Sequence, residues 1–589
     1  MISTPGTNTA SIKIGGACGF WGDSSLGTEQ LLQVPGMRYI TYDYLAELTL
    51  AIMAGMRMKN PEHGYALDFI DLMKKALPVA KAKGIRIVAN AGGLNPAGCA
   101  AALQKAMDEL GHTVRIGVVS GDDATHTLMQ LRKDGVELAD QHSHQPAPPF
   151  FLTANAYLGA FPIAAALDAG ADIVITGRVV DSAMVLGALV HEFKWRTTDL
   201  NQLAQGSLAG HIVECGAQAT GGLFTDWQTV PDWANIGYPI VDVAADGSFE
   251  LSKPEGTGGL INKAVATEQL LYEIHDPAHY ALPDVVCNFT TVHIEETGVN
   301  RVRIHGATGK APSNLYKVCA TYPDGFRCIG MLSIVGIGAH AKAKRTGEAI
   351  LERTRAMFKR QGLADYTRTS IEIIGSEIDG LCSEAMVRIA IAHADKKAAS
   401  IFSREIAPAG TSYAPGTSGN FGMGRPNVTP LVKLFSCFVP KQLQTAKVQV
   451  GAEQLAYKEP EHPKTGTPEA AIAATVHSPV AIPAELKGKR LIDIAHGRSG
   501  DKGDTSNIGI VARKPEYWPI LRQLLQPENV RTHLSHLVKG GVHTFELPQV
   551  HAFNIVMQEA LDGGGMTSMR NDPLGKGMAQ VLLNMKINE

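Results

Sequence analysis

The sequence predicts an α/β fold: a large amino-terminal domain with a mainly parallel sheet and a β-rich subdomain, then a small α+β domain. Three observations carry this. Short apolar runs alternate with helix-period segments over residues 11–195, longer β-rich runs replace them from about 280 to 375, and a stretch rich in Pro, Thr and Ala follows residue 455. The expected division is a domain over 1–455, a linker over 456–486 and a second domain over 487–589.

Taken in order, Ser11–Ala17 and Arg38–Tyr42 read as strands, and Leu45–Met56 and Tyr65–Ala82 as helices with one apolar face. Ile85–Ala89, Val114–Val119 and Asp172–Thr176 are further strands, each running into Gly, Asn or Asp and then a helical stretch. This βαβ rhythm places ligand loops at the carboxyl ends of the strands. Val285–Ile294 and Val302–His305 also read as strands. Lys317–Thr321 and Arg327–Ile334 read as a hairpin around Tyr322-Pro-Asp-Gly325, because Pro-Asp-Gly supplies a turn. Ala339–Gln361 reads as a long helix, charged on one side. In the last domain Leu491–Ile494 and Ile508–Val511 are expected as strands, and Tyr517–Gln526 and Val530–Val538 as helices.

Composition narrows the partners. With 589 residues, 45% hydrophobic and 19% charged, the chain has ample material for packed cores, which excludes a disordered protein. A formal charge of -3 provides no global field for nucleic acid or an anionic membrane, so a small-molecule ligand is expected. Eight singly scattered cysteines without a CxxC pair read as reduced thiols. No basic, apolar leader and no apolar run of about 18 residues is found, so a cytoplasmic location is expected.

Arg498-Ser-Gly-Asp-Lys-Gly-Asp-Thr-Ser-Asn507 is the most informative stretch. It reads as a loop between two strands, where glycines let backbone approach a ligand while Arg498 and Lys502 bind anionic oxygens, with Ser499, Asp501 and Asp504 beside them. Gly15-Gly-Ala-Cys-Gly-Phe-Trp-Gly-Asp23 exposes backbone N–H groups near Gly19 and offers Asp23 as a base; it lacks the G-x-G-x-x-G frame, and a tight structural turn is the other reading. In Asn90-Ala-Gly-Gly-Leu-Asn-Pro96, Asn90, Gly92, Gly93 and Asn95 either hold a carbonyl or phosphate or form a turn and helix cap. In Thr176-Gly-Arg-Val-Val-Asp-Ser182, Arg178 clamps a carboxylate and Asp181 orients it or acts as base, unless the pair only fastens a loop. Asp43 and Glu47, four apart at a helix start, either divide acid and base work or complement the helix dipole, Asp43 as a cap. Gly22-Asp-Ser-Ser-Leu26 offers Ser24 as a nucleophile of the GDS-esterase kind. His142-Ser-His144 lacks an HExxH or Cys/His partner set, so no metal is expected. Glycine-dense segments at 218–222, 256–259 and 412–424 suit subunit contacts or loops converging on one cavity.

Six ordered motifs carry a resemblance: the opening Gly-Gly-Ala-Cys-Gly-Phe-Trp-Gly-Asp, Tyr42-Asp-Tyr-Leu-Ala-Glu47, Asn90–Pro96, Thr176–Asp181, Gly258-Gly-Leu through Glu268-Gln-Leu-Leu-Tyr-Glu273, and Arg498–Asp504. Together they resemble the acyclic terpene utilisation family, its A component, over nearly the whole chain. The resemblance implies a large amino-terminal domain, a ferredoxin-like carboxyl-terminal domain, and a role in bacterial catabolism of citronellol- and geraniol-type terpenoids through branched acyl-CoA thioesters. The expectation is an enzyme acting on a branched acyl-CoA or its carboxylic acid by lyase or hydratase chemistry. Asp23, Asp43, Glu47 and Asp181 are the candidate bases, and Arg178, Lys502 and Arg498 the anion stabilisers. No cofactor is assigned; a CoA thioester enters as substrate. The rivals are a non-catalytic scaffold or partner-dependent subunit, and a serine esterase. A homo-oligomer is expected, with a second small subunit as a further partner.

Overall fold

The computed structural model describes residues 11–375, 384–419, 424–463 and 480–587. Residues 464–479 of the expected linker, 420–423 of the glycine-dense stretch from Ser412 to Gly424, and Cys382 lie outside the described residues.

Five parallel strands form the centre of the large domain. In space they run Ile12–Gly16, Met37–Tyr42, Arg86–Ala89, Ile173–Thr176, Ile116–Ser120. Their apolar runs are continuous because both faces are covered. Ile40, Ile87, Ile173 and Ile175 pack against Phe69, Met73, Leu77 and Leu103 of the helices Leu67–Ala82 and Pro96–Glu109. Ile14, Tyr39, Val88 and Val174 face Ile163, Leu186 and Leu208 of three other helices. Antiparallel strands extend both edges into an eleven-stranded sheet.

Two expected elements come out differently. Val285–Ile294 is broken: Val286–Asn288 belongs to a separate three-stranded sheet, while His293–Gly298 ends the large one. Lys317–Thr321 and Arg327–Ile334 do not fold back on each other; Leu315–Val335 is one 21-residue strand. Both halves pair with the long strand Val428–Pro440, which keeps them in line, and the register jumps between Pro323 and Phe326. Pro-Asp-Gly therefore makes a bulge, which absorbs extra residues without reversing the chain. The helix Ala339–Arg360 covers this sheet.

The small domain is a four-stranded antiparallel sheet in the order Ala495–Lys502, Thr505–Ala512, Ala552–Met557, Val542–Leu547. Leu491–Asp493, expected as strand, is a short 3-10 turn. Arg498–Lys502 is strand as well: it pairs with Thr505–Gly509, and only Gly503 and Asp504 turn. Side chains alternate across a strand, so one face is apolar and meets the domain's own helices through Ile508, Ile510, Phe553 and Ile555. The opposite face docks on the large domain. There Asn507 Nδ2 donates to Leu271 O at 2.7 Å and its Oδ1 accepts from Glu273 N at 3.1 Å, while Asn554 Nδ2 donates to Ile274 O at 3.0 Å. Gly509 permits the approach: a Cβ there would lie 2.5 Å from Leu271 Cβ. Arg513 grips Asp226 with two 2.6 Å bonds, and His496 adds a third contact at 3.0 Å.

Among the described residues no helix is long and apolar enough to cross a membrane, and the cysteines are free.

Removing the Asn507 amide strands the Leu271 carbonyl and the Glu273 N–H inside the interface, at roughly 1–3 kcal/mol for each buried group left unpaired. Asn507→Ala is therefore expected to lower the unfolding free energy by about 2–4 kcal/mol in chemical denaturation; a change below about 0.5 kcal/mol would mean that the segment is held elsewhere.

Glu268 lies 1% exposed at the same interface, with Thr225 Oγ1 donating to it at 2.6 Å and accepting from Gly497 N at 2.8 Å. Burial pushes its carboxyl up from 4.5 to about 7, against Thr225 and Arg498. The folded state thus holds this proton more tightly than the unfolded one, so its contribution is fully present below pH 4.5 and is lost as pH rises through about 7. Melting curves of Glu268→Gln are expected to fall less between pH 5 and 8 than those of the wild type, about 2–4 kcal/mol of stability being involved. Parallel pH profiles would refute the assignment.

Candidate active site at the junction of the two domains

The carboxyl ends of the parallel strands deliver the first polar groups. Asp43 directly follows Met37–Tyr42, Asn90 follows Arg86–Ala89, Asp122 comes two residues after Ile116–Ser120, and Arg178 two after Ile173–Thr176. All four are buried. Asn90 donates Nδ2 to Asp43 Oδ1 at 2.7 Å and accepts from Tyr44 N at 2.6 Å, which fixes the carboxyl at the strand end. Arg178 Nη1 donates to Leu45 O at 2.9 Å and Asp181 Oδ1 at 2.7 Å, its guanidinium lies 4.2 Å from the Tyr157 ring centre, and Tyr157 OH donates to Glu47 Oε1 at 2.6 Å.

Glu214, which no sequence signal singled out, completes the cluster from the end of the helix Leu200–Val213. Carboxylate oxygens of Asp43, Asp181 and Glu214 lie within 4.8 Å of one another. Burial and then the charges of Asp181 and Glu214 hold the Asp43 carboxyl well above its ordinary range. Glu214 is raised as well, by burial first, although His211 opposes the shift. Glu47 goes the other way: burial disfavours its charge, but Arg178, Lys502, Lys317 and the Tyr157 hydroxyl outweigh that and bring it to about 2.

The small domain supplies the cations. Because side chains alternate, Arg498, Gly500 and Lys502 share the face turned to the large domain. Lys502 Nζ meets Glu273 Oε2 at 3.0 Å, and its ammonium is kept protonated, against burial, by Glu273, Asp181, Tyr280 and Glu47. Lys576 bonds the Tyr272 hydroxyl, Glu273 Oε1 at 3.1 Å and Asp501 Oδ1 at 3.0 Å. Burial raises Asp501 to about 6, with Lys576 working against it. Arg498 is 5% exposed and stacks 4.3 Å from the centre of the Tyr272 ring, yet its Nε and Nη2 have no hydrogen-bond partner. The arrangement can hold an anionic group against Arg498 and Lys502 and move protons through the carboxyls. Asp43, Asp181 and Glu214 are also the set that would hold a hard divalent cation through oxygen ligands.

Other expected residues have structural work. Asp23 does not reach the cluster as a base: it accepts from Gly19 N at 2.9 Å, Ser24 N at 2.7 Å and Tyr238 OH at 2.9 Å, closing its own turn. Gly19 packs on Cys215, where a Cβ would lie 2.7 Å from the carbonyl carbon, and Gly92 packs likewise on Thr176 O. Gly93 takes a left-handed φ of +52° against Met53. Asn95 caps the helix Pro96–Glu109 through Gly98 N at 3.0 Å. Ser499 points to the other face of its strand, accepts from Ala579 N at 3.0 Å and donates to Gly575 O at 2.7 Å; Asp504 accepts from Leu561 N at 3.0 Å and Gly563 N at 2.9 Å. Asp43 and Glu47 do not share a helix face, because the helix starts at Glu47 with Ala46 as its cap. Ser24 Oγ accepts from Leu26 N at 3.2 Å, and no histidine among the described residues bonds to it.

Tyr157, Glu214 and Lys576 escaped sequence reasoning, and Tyr272 and Glu273 entered only within the Glu268–Glu273 motif, with no role assigned. The available signal for Glu214 was a His211/Glu214 pair three residues apart at the end of a helix that is buried along most of its length. For Glu273 it was a charge directly after the apolar Leu270-Leu-Tyr run.

Comparison with curated proteins finds no match. A family model described as the acyclic terpene utilisation family protein AtuA matches residues 12–450, which contain the parallel sheet and its carboxylate cluster, and a model for the AtuA ferredoxin-like domain matches residues 489–588, which contain the cation-bearing sheet. With both models matched in order across most of its length, the chain belongs to the acyclic terpene utilisation AtuA family.

Proposed function

We propose that this protein is an enzyme of acyclic terpenoid catabolism that acts on a branched carboxylic acid or its CoA thioester by lyase or hydratase chemistry. Family membership supports the terpene-catabolic role. The observation that carries the chemistry is Arg498, a buried guanidinium with Nε and Nη2 unpaired, stacked on Tyr272 where the two domains meet. Burying an unpaired charge costs several kcal/mol, and a carboxylate or enolate oxygen of the substrate relieves that cost.

In this reading the domain over 1–455 provides proton transfer and the domain over 487–589 provides anion binding. A general acid or base works best with a pKa near the working pH. Asp43 and Glu214, both raised, suit that role better than Glu47, which is held near 2 and serves to orient Tyr157 and Arg178. For hydration of an α,β-unsaturated thioester, Glu214 takes a proton from water as its oxygen bonds to the β-carbon. The electron pair moves to the thioester oxygen beside Arg498, and Asp43 protonates the α-carbon. Asp181 and Arg178 fix this geometry. Asp501 answers to Lys576 and tunes the cation side.

One observation favours a partner-dependent subunit as the second reading. Leu48 and Ile52, one turn apart on the helix that carries Glu47, stand 50% and 48% exposed, which suits a subunit contact, including one between copies of this chain. Native mass spectrometry with and without candidate partners separates the two.

Asp43→Asn is expected to reduce kcat for 2-enoyl- or 3-hydroxyacyl-CoA thioesters carrying a 3-methyl branch by about 10²–10⁴ with little change in binding. Arg498→Gln is expected to weaken binding of the same thioesters by roughly tenfold to a hundredfold. The acid–base reading fails if both variants turn over at the wild-type rate. Thermal-shift curves with these thioesters, with CoA alone and with the free acids identify which part of the ligand is bound.

A further inference from the structure

A cavity of about 300 Å³ opens on the large domain, with Ala54, Met58, Leu94 and Phe150 among its apolar liners and Asp122 and Asn155 among its polar ones. Most of its polar liners are engaged within the protein, Arg57 among them through Nη1 to Leu94 O at 3.1 Å, while Asn155 Oδ1 has no hydrogen-bond partner. Asn155 donates Nδ2 to Asp122 Oδ2 at 2.8 Å, the same oxygen accepts from Arg178 N at 2.9 Å, Thr153 and Thr321 share a 2.7 Å hydroxyl bond, and Asp123 accepts from Thr125 N at 3.0 Å. Met58 and Phe150 are 73% and 58% exposed, so the mouth of the cavity carries apolar surface. What the cavity offers a ligand is therefore mainly apolar contact, with one free amide oxygen at Asn155.

Three shared elements join the cavity to the cluster. The helix Glu47–Lys59 begins with Glu47 and contributes Ala54 and Met58 to the cavity, a distance of about 10 Å from Glu47 to Ala54 at 1.5 Å per residue. The strand Thr153–Ala156 contributes Thr153 and Asn155 to the cavity and leads directly into Tyr157. Asp122 lines the cavity and holds the backbone of Arg178. The volume lies at the lower end of the range of small-molecule pockets, about 300–1,000 Å³, so it fits a hydrocarbon chain and not a whole CoA.

We propose that this cavity receives the hydrocarbon chain of the substrate and sets its length, an inference that rests on the carboxylate cluster being the reacting site. The head group then lies against Arg498 and Lys502, and the branched chain runs past the Arg178 loop toward Ala54 and Phe150.

Binding of a series of straight and methyl-branched carboxylic acids, from acetate upward, and of their CoA thioesters, tests this by calorimetry on the full chain. For the wild type, affinity is expected to rise roughly fourfold with each methylene buried, until the cavity is full. Ala54→Leu, which fills the cavity, is expected to weaken the longest acids by about tenfold or more while acetate stays within about twofold, since the removed contact is apolar. Phe150→Ala, at an exposed position, removes apolar cover and is expected to act on the long acids alone; it carries the test if Ala54→Leu folds poorly. If both variants keep the wild-type dependence on chain length while Arg498→Gln weakens every acid, the cavity assignment is overturned and the site stands. If the wild type binds no acid or thioester of any length, the reading of the site falls with it.

Discussion

Asn507 and Asn554 hold the backbone from Leu271 to His275 against the open face of the small sheet, and the charged centre is built on that contact. The held segment carries Tyr272 and Glu273. Glu273 then sits between Lys502 and Lys576, which keep it ionised far below the usual carboxylate range even though burial opposes the charge. Without the small domain, the large domain would present Glu273, Asp43, Asp181 and Glu214 with few cations near them. Without the large domain, Arg498, Lys502 and Lys576 would crowd one edge of a small sheet. Each half is electrostatically incomplete, and docking balances them.

Strand alternation decides which side chains take part. Along Arg498-Ser-Gly-Asp-Lys502, Arg498 and Lys502 face the large domain, Gly500 leaves room for Tyr272 and Glu273 between them, and Ser499 turns to the start of the helix Met578–Leu583. A loop of the same composition would have no such division, so the polar residues of this motif serve two purposes. Some meet the site, and others, such as Ser499 and Asp504, fasten the edges of the domain that presents it.

The parallel core was legible in the sequence because strands buried on both faces leave uninterrupted apolar runs, and because the residue after each run, Asp43, Asn90 or Arg178 within its short turn, is polar where a βαβ fold needs it. The Arg178–Asp181 pair was legible for the same reason. What stayed hidden depends on partners distant in sequence. Pro-Asp-Gly at 323–325 has turn chemistry, but thirteen residues of Val428–Pro440 hold the strand straight through it. Asn95 has ligand chemistry, but the helix that starts at Pro96 uses it as a cap. Glu214 ends a helix buried along most of its length, where no polar stripe reveals which residue joins a charged cluster. Lys576 lies in a glycine-rich turn near the end of the chain, and only its fold onto Tyr272 and Asp501 gives it meaning.

Asp43 and Glu47 show how position outranks residue type. They are four apart and chemically alike, yet one is driven up and the other down. Asp43 lies at the end of a central strand, 6% exposed, with Asp181 and Glu214 as its nearest charges, so protonation relieves both burial and repulsion. Glu47 opens a helix and meets Tyr157, with Arg178, Lys317 and Lys502 around it, so ionisation is favoured. Arg178 alone would pull both carboxyls down. The asymmetry arises because Asp181 spends its charge on Arg178 and at the same time repels Asp43, while Lys502, arriving from the other domain, adds to Glu47. The outcome is a carboxyl that can carry a proton, Asp43, and a fixed anion, Glu47, around one shared arginine. That difference is completed by a cation the second domain brings.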